Sequence, residues 1–248
     1  MTDQQVLQPP QPNPTEHTYA VALSHLRLRI QEISPLDDHD WALLADKISW
    51  ETQPKGALLL SPGQVCDQVR FLHSGAVIYY EGIDEEMQLE QVGWIAQPTE
   101  MVIEINSFFQ RLPTQQHLKC TVPCEFLTIR YEDLQALYAE SPAWNTAGRR
   151  LTEAYMLLIA ERTYFHLLNS AREKYRYFRD RFPQALQLVS QKHIAAFLRI
   201  RPETLSRLRK SEVRSAKLAY FGSSRRRTLQ AVDKQPQKNQ SQQVFGVL

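Results

Sequence analysis

Long apolar runs are missing from this chain of 248 residues. The longest, such as 57–60 and 155–160, fall far short of the roughly 18 residues a spanning helix needs, so no membrane partner is expected. The first residues, MTDQQVLQPPQPNPTEH, have neither a basic start nor an apolar stretch. No signal peptide is therefore expected: residues 1–18 read as a disordered Pro/Gln-rich lead-in, and the cytoplasm is the expected compartment. Cysteine is scarce. Cys66, Cys120 and Cys124 are an odd, small set that argues against a disulfide framework. Cys120 and Cys124 are spaced Cys-x3-Cys, but a thiolate cluster normally wants about four ligands, so all three read as buried or half-buried thiols and no metal site is assigned. A phosphate loop, a metal-ligand cluster and a Ser/His/Asp setting with a nucleophile elbow are also missing. No catalytic residue is assigned, and the chain is not expected to be an enzyme.

What is present is an uneven spread of charge. The net charge is only +2, yet residues 1–140 hold 8 Lys and Arg against 20 Asp and Glu, while residues 141–248 hold 21 against 7. An acidic half joined to a basic half points to two domains with different partners, the basic one a candidate for nucleic acid. A solvated charged surface is the plain alternative.

Helical spacing of apolar residues runs over 19–33. Ser34 and Pro35 then read as the cap and first turn of a second helix carrying Trp41, Leu43, Leu44 and Ile48. From Trp50 the pattern changes to short β-leaning runs at 57–60, 69–73, 76–80, 88–94, 117–122 and 125–130. Lys55-Gly56, Pro62-Gly63, Ser74-Gly75 and Glu81-Gly82 punctuate them. Short strands at this spacing predict an antiparallel roll or sandwich. A short helix over 131–140 follows. The longest periodic stretch comes next: Trp144, Leu151, Tyr155, Leu158, Arg162 and Phe165 repeat at a spacing of three or four, close to a heptad seam. That stripe packs either on its own roll or on a twin helix. Its length, and its place between two differently charged regions, favour the twin and make those six residues the expected dimer interface. A further helix over 170–182 ends at Pro183.

Residues 188–210 read LVSQKHIAAFLRIRPETLSRLRK, two short helices around Arg199-Ile200-Arg201. Ala195 supplies the small residue that closely crossing helices require, Ile200 plugs the turn, and Leu205 with Leu208 closes the core. Pro202 suits a first helical turn, where its missing N–H is no loss. The second helix, 202–210, presents Glu203, Thr204, Ser206, Arg207 and Lys210. Arg207 can donate twice to guanine, Glu203 can accept from cytosine, and Thr204 and Ser206 can reach a phosphate or a base edge. Gln191, Lys192 and Arg201 complete the expected DNA-binding set. From 189 to 228 there are eleven Lys or Arg and two acids, a density that supplies the salt-dependent phosphate attraction. The plain alternative is a helical hairpin with a solvated face.

The run QKHIAAFLRIRPETLSRLRK resembles the helix-turn-helix of the Crp/Fnr superfamily of transcription regulators. Upstream, Lys-Gly, Pro-Gly-x-x-x-Asp and Ser-Gly at Gly56, Gly63 and Gly75, together with CEFLTIRYEDLQAL, resemble the roll of cyclic-nucleotide-binding domains. The resemblance spans about residues 26–210. It implies an α+β fold: an N-terminal antiparallel β-roll (a double-stranded β-helix) with flanking helices over 19–141, a dimerisation helix over 142–170, a helix-turn-helix domain over 171–228 and a disordered tail over 229–248. It implies that Glu203 and Arg207 read bases in the major groove. The partners it implies are double-stranded DNA, a second copy of the chain and RNA polymerase, with a small-molecule effector or none. Two positions depart from the pattern. Pro202 stands where a third base contact, often Arg, is usual. Arg199 stands where Gly is frequent, and if that position is left-handed a non-glycine residue costs about 1–2 kcal/mol and the turn is expected to be looser or differently shaped. A wing is sometimes found after the second helix; here 218–221 reads as a strand and Arg225-Arg226-Arg227 as a phosphate-contacting arm.

Ligand-binding rolls carry a Gly-Glu pair and, about ten residues on, Arg followed by Ser or Thr, the Arg neutralising a buried phosphate. Counting back from Cys124-Glu125 puts these four at Ile103, Glu104, Thr114 and Gln115, so only the Glu survives. Arg111 is the substitute cation if the loop is shifted, and Glu104, Arg111, Thr114 and Gln115 are the candidate effector pocket. No cofactor is assigned: a cyclic nucleotide is the ligand the roll brings to mind and the cassette argues against. Iron–sulfur sensing lacks its cysteines, since none precedes Cys66, and His73 or His117 as a haem ligand has no supporting pattern. The competing reading is a ligand-sensing or scaffold protein whose helix-turn-helix no longer reads DNA.

Overall fold

The structure, a computed structural model, describes residues 14–84, 89–167 and 170–212. Its contacts gather into two compact units, residues 1–205 and 206–248. Nearly all the elements below belong to the first. Of the second, residues 206–212 are described, as the continuation of a helix over 202–212. The expected tail, the strand at 218–221, the Arg225–Arg227 arm and the lead-in up to residue 13 lie outside the described residues.

Helix α1 (Glu16–Gln31) begins three residues earlier than the apolar spacing indicates, because the Thr15 hydroxyl accepts from the Thr18 N–H and caps it. Helix α2 (Asp38–Ala45) is capped by Asp37 and not by Ser34: Asp37 and Asp40 form a reciprocal capping box, while the Ser34 N–H bonds back to the Ile30 carbonyl. Ile48 leaves the helix altogether and opens β1 (Ile48–Gln53), a strand the sequence reading missed. Then follow β2 (Leu58–Leu60), β3 (Gln68–Ser74), β4 (Val77–Asp84), β5 (Leu89–Ala96), β6 (Met101–Val102), the short helix α3 (Ile105–Gln110), β7 (His117–Cys120) and β8 (Cys124–Arg130).

The strands form two four-stranded sheets, in the orders β1-β8-β3-β6 and β2-β7-β4-β5, and every pairing is antiparallel. Alternation along a strand divides its side chains between two faces. On the first sheet, Ile48, Val69, Phe71, Leu127 and Ile129 point outward, into a core with Leu26 and Ile30 of α1 and Leu137 of α4 (Tyr131–Glu140). Leu72 and Phe126 point into the roll, where both are fully buried. Glu51 and Arg70 are also inside, as an ion pair at 2.7 Å. Burial pushes the Glu51 carboxyl up, but the Arg70 charge and hydrogen bonds from Arg70, Gln53 and Thr128 outweigh it and hold the group below the usual range. Gly75 (φ 100°) turns β3 into β4, and a β-carbon there would stand 2.5 Å from the Cys124 sulfur and 2.6 Å from the Pro123 carbonyl oxygen. All three cysteines are buried free thiols.

Beyond α4 runs α5 (Pro142–Leu167), then α6 (Ala171–Arg181), whose Ser170 cap and Glu173 form a second capping box, the single turn α7 (Ala185–Leu188), and α8 (Gln191–Leu198). Among the described residues no helix is long and apolar enough to cross a membrane.

Candidate nucleic-acid interface and effector cassette

Helix α8 starts at Ser190, whose hydroxyl accepts from the His193 N–H. Ile194, Ala195 and Leu198 are buried, as a tight helical crossing requires. The helix ends on Arg199, which adopts the left-handed conformation (φ 53°, ψ 48°). The expected loosening of this turn does not occur. The Arg199 N–H donates to the Ala196 carbonyl and the Ile200 N–H to the Ala195 carbonyl, both at 3.0 Å, so the helix is closed as a glycine would close it, with an arginine carrying the strain. Helix 202–212 follows at once, its Leu205 fully buried. Glu203, Arg207 and Lys210, spaced four and three apart, are exposed, as are Gln191, Lys192 and Arg201; Thr204 and Ser206 are half-buried.

Lys192 is placed in a way the sequence did not reveal. Its ammonium lies 3.9 Å from Glu90 of β5, and His193 Nε2 lies 3.7 Å from the other oxygen of that carboxylate, beside Lys119 of β7 at 3.9 Å. The first helix of the motif is thus docked on the roll. Burial lowers the His193 pKa, reinforced by Lys119 and Lys192, and Glu90 only partly opposes it. Beneath this contact Phe178, Phe182 and Phe197 pack with Trp94 of β5, the Trp94–Phe182 ring centres 5.3 Å apart and the Phe182–Phe197 centres 5.5 Å apart. Arg181 adds an ion pair to Glu100 at 3.2 Å. This aromatic cluster was the largest feature the sequence reading missed; Tyr175, Phe178 and Phe182 recur at helical spacing and are its visible signal.

The seam expected on α5 divides. Trp144 is buried in its own chain: its ring meets Trp41 edge-on at 5.3 Å and its indole N–H donates to the Asp40 carbonyl at 2.7 Å. Phe165 is buried too, stacked on Phe197 at 5.2 Å. These two are covered by the roll and helical region of their own chain. Leu151, Tyr155 and Leu158 are half-buried, and the side chain of Arg162 lies outside the described residues. Among the described residues, the large apolar side chains that α5 leaves exposed are Met156, Leu157, Ile159 and Leu167.

In the effector cassette three of the four expected groups already have a protein partner. Glu104 is buried, and its carboxylate caps α3, accepting from the Asn106 N–H at 3.2 Å and the Ser107 N–H at 2.8 Å. Arg111 is exposed and left-handed; its guanidinium donates to the Cys66 carbonyl at 2.7 Å and lies 4.0 Å over the Tyr131 ring. The buried Thr114 hydroxyl accepts from the Gln116 N–H at 2.9 Å, and its backbone pairs with Gly63 and Gln64. Gln115 points to solvent. His117 stacks on Tyr80 at 4.6 Å.

The sequence matches no family model and no curated protein. Solved structures do share the fold. FixK2 from Bradyrhizobium japonicum is similar at 14% identity and a TM-score of 0.54, over 68% of this chain and 86% of that one. The c-di-GMP-responsive global regulator CLP of Xanthomonas campestris is similar at 16% identity and 0.52, over 73% and 93%. A cyclic-nucleotide-binding domain from Methylobacillus flagellatus is similar at 16% identity and 0.50, over 59% and 85%. The fold is therefore α+β, a roll of the cyclic-nucleotide-binding kind followed by a helical region. More particularly, it is the fold that FixK2 and CLP share.

Proposed function

We propose that the chain is a DNA-binding transcription regulator of Crp/Fnr type, acting as a homodimer. The observation that carries this reading is the helix-turn-helix geometry: a left-handed turn at Arg199 leads directly into a helix on which Glu203, Arg207 and Lys210 are exposed. A carboxylate and a guanidinium four residues apart are the groups that read base edges, and Lys210 adds phosphate attraction. The fold shared with FixK2 and CLP agrees with it. The test is fluorescence anisotropy on a generic duplex at rising salt. Binding should weaken steeply as salt increases, and Lys210→Ala should shallow that slope by about one unit of log K per log salt. Salt-independent binding, or none, would leave the scaffold reading in its place.

The homodimer rests on α5. Met156 and Ile159 lie at heptad spacing between the exposed Thr152 and Thr163, an apolar face that a twin helix would cover. A paired Met156→Glu and Ile159→Glu change should convert a dimer to a monomer in light scattering while leaving the chain folded. The two-fold axis would then place two recognition helices about one DNA turn apart on a near-palindromic site.

The roll does not take cyclic AMP through its cassette, because Glu104 and Thr114 are bonded to neighbours within it and Arg111 to the Cys66 carbonyl. Cyclic AMP at millimolar concentration should leave the melting temperature unchanged; a rise would show that the loop rearranges around the ligand.

A further inference from the structure

Between the outer face of the first sheet and helices α1, α3, α4 and α5 lies a cavity of about 160 Å³. It is on the opposite side of that sheet from the roll interior; Ile103 and α3 adjoin it, but Glu104, Arg111, Thr114 and Gln115 are not among its described walls. Phe108 and Phe109 of α3, Leu134 of α4, and Leu151 and Tyr155 of α5 are among its walls. Among the described residues no charged side chain lines it. A cavity of about 150 Å³ lined by Leu, Ile and Phe stays dry and admits benzene, so size and lining together define what can enter here.

One wall carries a polar mark. Tyr138 borders the cavity, and among the described residues its hydroxyl has no hydrogen-bond partner. Gly148 makes the room for it: a β-carbon at 148 would stand 2.3 Å from that hydroxyl oxygen. Burial raises the Tyr138 pKa, which keeps the hydroxyl protonated and able to donate. Two more lining residues carry hydroxyls: Thr152, which already donates to the Gly148 carbonyl at 2.9 Å, and Tyr155, which is engaged elsewhere.

We propose that this cavity is a binding site for a small uncharged apolar molecule, an aromatic or branched aliphatic compound of benzene to indole size bearing at most one polar atom, which Tyr138 would meet. Anions and cations are excluded because entry would strip their hydration with no countercharge to replace it. Leu151 and Tyr155 belong to the same helix that exposes Met156 and Ile159, so occupancy bears directly on α5. That consequence rests on the proposed dimer; the binding itself does not.

The test uses the full chain with benzene, phenol, indole and benzoate as probes, read by melting temperature and by methyl NMR. Benzene and indole should raise the melting temperature by roughly 3 °C at about ten times their Kd and move the methyl signals of Ile103, Leu134 and Leu151; benzoate should do neither. Phenol should bind more tightly than benzene, and Tyr138→Phe should remove the difference. Leu134→Phe, which fills the space, should abolish both effects. If that variant fails to fold, the methyl map of the unaltered chain decides: shifts confined to the cavity walls support the site. Absence of any apolar effect, shifts located elsewhere, or an equal response to benzoate would overturn it.

Discussion

Gly75, Glu104 and Arg199 show how single residues carry local structure here. Gly75 combines a positive φ with a neighbour too close for a β-carbon, so Gly75→Ala is expected to cost at least about 2 kcal/mol in denaturant unfolding. Arg199 is the converse, a bulky residue held left-handed, and Arg199→Gly should stabilise the chain by up to about 1 kcal/mol, less the entropy glycine adds to the unfolded state. Inside the roll, Arg70→Met would leave the Glu51 carboxylate buried without its countercharge and should cost about 3–5 kcal/mol, a loss that Glu51→Gln in the same chain should partly reverse. At this scale the sequence was legible where a residue's chemistry has one use. It predicts that Ala195 and Leu205 are buried, and both are fully buried. It could not show what Glu104 does, because a carboxylate that caps a helix and one that takes a ligand hydroxyl look the same in sequence.

At the scale of elements, β2, β3, β4, β5, β7 and β8 were legible because turn residues punctuate them, whereas β6 and α3 were not read, and the helix over 131–140 matches α4 to the residue. β1 was not, since Ile48–Gln53 becomes a strand through its pairing with β8, nearly eighty positions away. The stripe on α5 taught the limit of periodicity. A repeat of three or four says that a face is buried and not by what: Trp144 and Phe165 are covered by their own chain, while Met156 and Ile159, one step round the helix, are left exposed. Docking of α8 on β5 carries its own pH dependence. His193 has a depressed pKa when folded, so its contribution to stability is present above the ordinary value of 6.5 and is lost as pH falls below it, when the unfolded chain takes up the proton more readily. His73, depressed mainly by burial, acts in the same sense. Calorimetry should find the melting temperature declining as pH falls below 6.5, and His193→Gln should flatten the decline; an unchanged slope in that variant would mean the histidine is not held as described.

For the whole molecule, the distribution of charge and the motif at 188–210 point the same way. An acidic roll bears helices that become basic toward the C-terminus, and in this structure Lys192 of the motif is already held near a roll carboxylate. The account therefore expects DNA to compete with Glu90 for Lys192, and Glu90→Gln to strengthen DNA binding several-fold in anisotropy titrations. The most direct test of the central claim is selection from a randomised duplex pool by the purified chain, with Arg207→Ala run in parallel. Recovery of a two-fold symmetric site is expected, its affinity falling about tenfold or more when Arg207 is truncated, the loss of one bidentate base contact. Recovery of no preferred sequence, or equal enrichment by both proteins, would contradict it.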